Sequence, residues 1–79
     1  MELSPAQCRA ARAMLNWSQA DLERAAAVAK KTIADFERDA RSPYDRTLVA
    51  IRAALEAAGV EFIDENGGGA GVRLRKHAG

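Results

Sequence analysis

MLNWSQADLERAAAVAKKTIADFERDARSP, Met14 to Pro43, contains two helix-start patterns separated by a few small residues. In the first, Ser18-Gln19-Ala20-Asp21, the serine side chain is placed to accept from the amide of Asp21, and the Asp21 carboxylate favours a helix N-terminus. Trp17 before the cap and Leu22 four residues into the helix have the spacing of a hydrophobic staple. These signals predict a helix over about 18–26. Ala27-Val28-Ala29 follows, then KKTIADFERD, where Ile33 and Phe36 are three apart and Val28 precedes them. That spacing predicts a second helix over about 30–38, ended by Asp39, a residue that tolerates the left-handed conformation. Each helix is too short to be stable alone. Joined so tightly, the two exist to hold each other at an angle.

Further helices are predicted on either side. Ser4-Pro5-Ala6-Gln7 combines a capping serine, a proline suited to the first helical position and a glutamine that can close a capping box. Cys8, Ala11 and Leu15 then recur at helical spacing, predicting a helix to about Met14 or Leu15. After the central pair, Ser42-Pro43 is another start signal, with Asp45 as an alternative cap. Leu48, Ile51, Ala54 or Leu55, and Ala58 form an apolar stripe ending at Gly59, so a fourth helix is expected over about 45–58. The period then changes. VEFID and VRLRK alternate, and ENGGGAG between them carries an Asn-Gly turn signal, predicting a β-hairpin at about 60–65 and 71–76. A flexible glycine-rich tail is the alternative reading of this segment.

The totals narrow the function classes. The 79 residues fit one domain near the lower size limit for unaided folding. One cysteine, Cys8, precludes an internal disulfide, and one histidine, His77, leaves almost no ligands for a metal cage. No apolar run is long enough to span a membrane, and MELSPAQCRAAR lacks the pattern of a secretion signal, so the expected location is cytoplasmic. Net charge is +1 but segregated. Residues 30–46 hold Lys30, Lys31, Arg38, Arg41 and Arg46 against four acids; residues 47–66 hold Arg52 against Glu56, Glu61, Asp64 and Glu65; the tail adds Arg73, Arg75 and Lys76 with no acid. Nothing pairs a nucleophile with a base, and Gly67 to Gly69 are not followed by the Lys-Ser/Thr of a phosphate loop. Enzymatic chemistry and a resident cofactor are therefore not expected, and Cys8 reads as a small core residue.

Over residues 6–58, ARAML-NWSQADLERAAAVAKKTIADFERDARSP…TLVAIRAAL resembles the Cro and cI-repressor type of helix-turn-helix, the xenobiotic-response-element (XRE) class of regulators. WSQADL, KKTIADFER and SP…TL fall at the family's spacings. The resemblance implies a mainly α, λ-repressor-like domain of four helices over residues 1–59, with the hairpin of residues 60–79 appended. It further implies a DNA-binding transcriptional regulator, a repressor in its simplest form, with double-stranded DNA as partner and helix 3 in the major groove. Lys30, Lys31, Thr32 and Asp35 then occupy the base-facing positions. Asp35 is open to two roles, reading cytosine N4 or pairing within the helix with Lys31 or Arg38. Ser18, Gln19, Arg38, Arg41, Tyr44 and Arg46 are candidate phosphate contacts. Arg12 and Glu37 match a buried structural ion pair. The family often has Gly in the turn, Ser or Thr capping helix 3 and Gly after it, where this chain has Ala27, Ala29 and Asp39. The missing cap costs about 1 kcal/mol and leaves amides for water or a phosphate to satisfy.

Readers of this type commonly dimerise on two-fold operators. Val60, Phe62, Val72 and Leu74 give the hairpin an apolar face, expected to be the homodimer interface, with helix 4 as the other candidate. Arg73, Arg75 and Lys76 have a contact to DNA as their alternative role. The competing reading of the whole chain is a small protein-interaction module, antitoxin-like or anti-repressor, on the same fold.

Overall fold

The computed structural model describes residues 3–75; Lys76 and His77 lie outside them. Four helices, α1 (Pro5–Leu15), α2 (Gln19–Ala26), α3 (Lys30–Glu37) and α4 (Asp45–Ala57), precede strands β1 (Val60–Ile63) and β2 (Gly71–Leu74).

The first two starts form as the residues dictate. Ser4 and Ser18 each accept from the amide three residues on, at 3.0 and 3.1 Å, and Gln7 and Asp21 reach back to the cap amides at 3.0 and 2.8 Å. Trp17 packs against the core that Leu22 enters fully. The later starts differ. Ala29 caps α3 with no side-chain bond. The Lys30 amide is nonetheless occupied, donating to Glu23 Oε2 of α2 at 3.0 Å, so a carboxylate from the neighbouring helix replaces the expected water or phosphate there. At α4 neither Ser42 nor Asp45 caps. Extended Tyr44 is the cap residue, without a side-chain bond, and Asp45 sits in the first turn, where its charge still complements the helix dipole.

Asn16, Ala27 and Asp39 close α1, α2 and the α3 exit in the left-handed region, with φ of 58°, 57° and 59°. Ala27 does so without the side-chain compensation open to Asn or Asp. Gly59, at φ 111°, provides the turn from α4 into β1.

One core joins all the elements: Leu3, Cys8, Ala11, Leu22, Ile33, Phe36, Ile51, Leu55 and Val60. The strands pair antiparallel, Val60 with Leu74 and Phe62 with Val72. Cross-strand partners share a face, so these four residues form the apolar side of the hairpin, and it turns toward the helices. Val60 is 1% exposed, and Phe62 and Val72 pack on the core. Val60 therefore belongs to the chain's own interior rather than to a free surface; Leu74, half exposed, is what the face leaves open. Buried Gln7 fastens the hairpin to α1, its amide donating to the carbonyl of Gly71 at 3.0 Å. The loop between strands is ordered by Glu65, whose carboxylate accepts from the amides of Gly67 and Gly69 at 3.0 and 2.8 Å. No described helix is long and apolar enough to cross a membrane.

Candidate nucleic-acid interface

Helix α3 is divided lengthwise. Ile33, Phe36 and Glu37 are buried, whereas Lys30 and Lys31 stand exposed at its first turn and Arg38 at its end. Its eight residues span about 12 Å, the width of the B-DNA major groove. The segment after α3 lies beside this face: a groove of about 260 Å³ is lined by Ala29, Lys31, Thr32, Asp35, Arg41 and Pro43. Arg41 is thus brought next to Lys31, Thr32 and Asp35. Tyr44 is largely exposed, and the Arg46 guanidinium lies 5.7 Å from its ring centroid. Among the described residues Lys30 and Arg41 have no ion-pair partner.

Asp35 has both oxygens engaged, with Lys31 Nζ at 3.1 Å and Arg38 Nη2 at 2.8 Å. The bond from Arg38, then that from Lys31, holds its carboxyl below the usual carboxylate range. Of the two roles left open by the sequence, this chain on its own adopts the intrahelical pairing.

Gln19 and Ser18, candidate phosphate contacts at the start of α2, both have intramolecular partners. Ser18 Oγ accepts from the Asp21 amide, leaving its hydroxyl proton for a further acceptor. Gln19 Nε2 donates to Glu37 Oε1 at 3.0 Å. The end of the exposed helix is thereby tied to the start of α2.

Glu37 is the hub beneath the surface. Arg12 approaches it with Nε and Nη2, each at 2.7 Å from a different carboxylate oxygen, and the Cys8 thiol donates to it at 3.0 Å. Arg12 also donates to the Trp17 carbonyl at 3.0 Å, and Arg9 reaches the Glu37 carbonyl. Burial alone would push the Glu37 carboxyl upward; the bonds from Arg12, Gln19 and Cys8, with the charge of Arg12, outweigh it and hold the group below its ordinary value. The bond to Glu37 raises the Arg12 guanidinium further above neutrality. Burial, then the bond to Glu37, pushes the Cys8 thiol far above the ordinary range and keeps it protonated. Such a thiol is inert.

Sequence reasoning missed three members of this arrangement: Cys8 as a donor to Glu37, Arg9 as a cap on the end of α3, and Glu23 as the partner of the Lys30 amide. The first carried a faint signal, since Cys8 and Arg12 are four apart and share a face of α1. Glu23 and Lys30 are separated by a turn whose angle no local pattern specifies.

Residues 9–61, more than half of the chain, match the model of the helix-turn-helix family. The chain belongs to that family, of the Cro/cI or XRE type. It is a DNA-binding helix-turn-helix regulator, and regulation of transcription is the activity of its family. A comparison with curated proteins gives no match.

Proposed function

We propose that this chain is a sequence-specific repressor that acts in the cytoplasm as a homodimer on a two-fold operator, occluding it, with α3 in the major groove. The observation that carries this reading is the face of α3, with Lys30 and Lys31 exposed at its first turn while the opposite face is locked into the core. Lys30, Lys31, Thr32 and Asp35 address base edges. Ser18, Gln19, Arg38, Arg41, Tyr44 and Arg46 address phosphates on either side. Gln19 can donate one proton of its amide to a phosphate while the other remains on Glu37. A rigid donor of that kind fixes register.

Dimerisation is assigned to the hairpin and the outer side of α4. Leu74 is 50% and Val49 65% exposed, and a two-stranded sheet leaves an unpaired edge on each strand. Phe62 and Val72 line the same face as Leu74 and flank the contact from within the chain. Leu74→Asp leaves the core intact and should turn dimer into monomer in sedimentation equilibrium; an unchanged dimer would move the interface away from the hairpin.

The test of the whole reading is genome-wide chromatin immunoprecipitation, followed by binding to the recovered sites at two salt concentrations. Peaks sharing a two-fold motif, with affinity falling steeply in salt and lost in Lys30→Ala/Lys31→Ala, are expected. Absence of peaks, or binding indifferent to sequence, would refute operator recognition and favour a protein target.

A further inference from the structure

A carboxylate in the middle of a DNA-facing helix opposes the phosphate attraction on which such a surface depends. Asp35 is in that position, and its environment is unlike that of an incidental surface acid. Its side chain is 14% exposed, while those of Lys31 and Arg38 are 84% and 68% exposed. The carboxylate is thus recessed in the wall of the groove formed with Arg41 and Pro43, and the two cations extend over it into solvent. One acid serves two bases: Lys31 is one turn before it and Arg38 one turn after.

This arrangement has different consequences on different DNA. Exposed ion pairs contribute little stability, so the pairing scarcely affects the fold. It does affect counterion release, because a lysine or arginine already neutralised by its own helix displaces fewer ions from the phosphates. The same Lys31–Asp35 pair sets a donor and an acceptor one helical turn apart. In the major groove a G·C pair offers the complement: adjacent acceptors O6 and N7 on guanine, and the N4 amine of cytosine as donor. Where such a pair falls under α3, both charges can exchange their mutual contact for base contacts without a loss; an A·T pair also presents a donor, adenine N6, but not two adjacent acceptors on one base.

We propose that Asp35 is the specificity-determining residue of this surface, accepting from cytosine N4 while Lys31 donates to the guanine of the same pair, and withholding Lys31 and Arg38 from phosphates on all other sequences. The inference rests on the reading that α3 enters the major groove. Arg41, without such a counter-ion among the described residues, carries sequence-independent attraction. The carboxylate trades affinity for discrimination.

The experiment uses the full chain as wild type, Asp35→Asn and Asp35→Ala, with thermal unfolding to confirm that each is folded. Sites are selected from a random duplex pool. Affinities are then measured for the selected site, for every single base-pair change in it, and for a random-sequence duplex at 50 and 200 mM salt. The wild type should prefer G·C at one position of each half-site by about 10- to 100-fold. Both variants should lose that preference at that position alone. On the random duplex they should bind about tenfold or more tightly, with a log–log salt slope steeper by up to about 1.8, the value for two freed cations. Variants that retain every base preference overturn the inference while leaving the DNA-binding reading intact. So does a lost preference for A·T, or an equal weakening on selected and random duplexes. A wild-type chain that binds no duplex overturns the function beneath it instead.

Discussion

Replacing Glu37 by methionine strands Arg12 under the surface. The Glu37 side chain is 3% exposed and that of Arg12 19%, and the carboxylate accepts four bonds: two from Arg12 at 2.7 Å, and one each from Gln19 and Cys8 at 3.0 Å. Removing one member of a buried pair costs about 3–5 kcal/mol, mostly because the remaining charge is left without compensation. At roughly 0.05–0.15 kcal/mol per residue, a chain of 79 residues has about 4–12 kcal/mol in total. Glu37→Met should therefore lower Tm by at least about 12 °C. Arg12→Met should fall by a comparable though smaller amount, since Glu37 keeps its neutral donors Gln19 and Cys8. The decisive variant is the double one. With both charges gone and apolar volume in their place, Arg12→Met/Glu37→Met should recover to within about 2 kcal/mol of the wild type. Urea unfolding followed by the fluorescence of Trp17, the single tryptophan, measures all four proteins; its carbonyl is itself held by Arg12. If the two single losses simply add in the double variant, the pair is not coupled and the reasoning fails. The same network sets an acid dependence. Glu37 titrates below its ordinary value of 4.5 in the folded chain, so its contribution is fully present above that pH and disappears as pH falls through the folded value. The acid limb of a stability–pH curve should flatten in the double variant.

Two other substitutions probe the joints around α2. Ala27→Gly removes the left-handed strain at φ 57° on an exposed residue, and should stabilise by about 0.5–1 kcal/mol after the added chain entropy of glycine is counted, seen as a Tm higher by several degrees; a lower Tm would show that the alanine methyl contributes packing there. Glu23→Ala removes the acceptor of the Lys30 amide and should cost about 0.5–1 kcal/mol, with faster amide hydrogen exchange at Lys30 than in the wild type. Unaltered exchange at that amide would mean that solvent already competes on equal terms with the carboxylate.

The central helices were legible because each of their signals is local. Ser18, Asp21, Trp17 and Leu22 lie within five residues of one another, and any chain that forms the helix brings them into contact. The spacing of Ile33 and Phe36 likewise suffices to say which face of α3 is buried, and hence that Lys30 and Lys31 are not. The pairing of Arg12 with Glu37 was reachable only through family resemblance, as 25 residues separate them. What the sequence left open depends on angles between helices. The Lys30 amide finds Glu23 because α2 and α3 cross at the angle Ala27 permits; a different turn would aim the carboxylate at water. Gln19 reaches Glu37 for the same reason.

The hairpin shows how chain size decides the use of an apolar face. Alternation identified Val60, Phe62, Val72 and Leu74 as one side of a sheet, but alternation cannot say what that side covers. The core shared by the four short helices includes Val60, and Phe62 and Val72 of the hairpin pack against it. A chain this short gains more by burying that strip itself than by exposing it until a partner arrives. The seal is tightest where β1 leaves Gly59, at Val60, and relaxes toward Leu74 across the ladder. The face is thus divided residue by residue: Val60, Phe62 and Val72 complete the protomer, and Leu74 is the one it leaves open. It follows that Val60→Ala should lower stability in the monomer by an amount independent of protein concentration, whereas Leu74→Asp should act only through a concentration-dependent term. Thermal unfolding of both variants over a hundredfold range of concentration separates the two, and an equal concentration dependence in both would place Val60 in the interface after all.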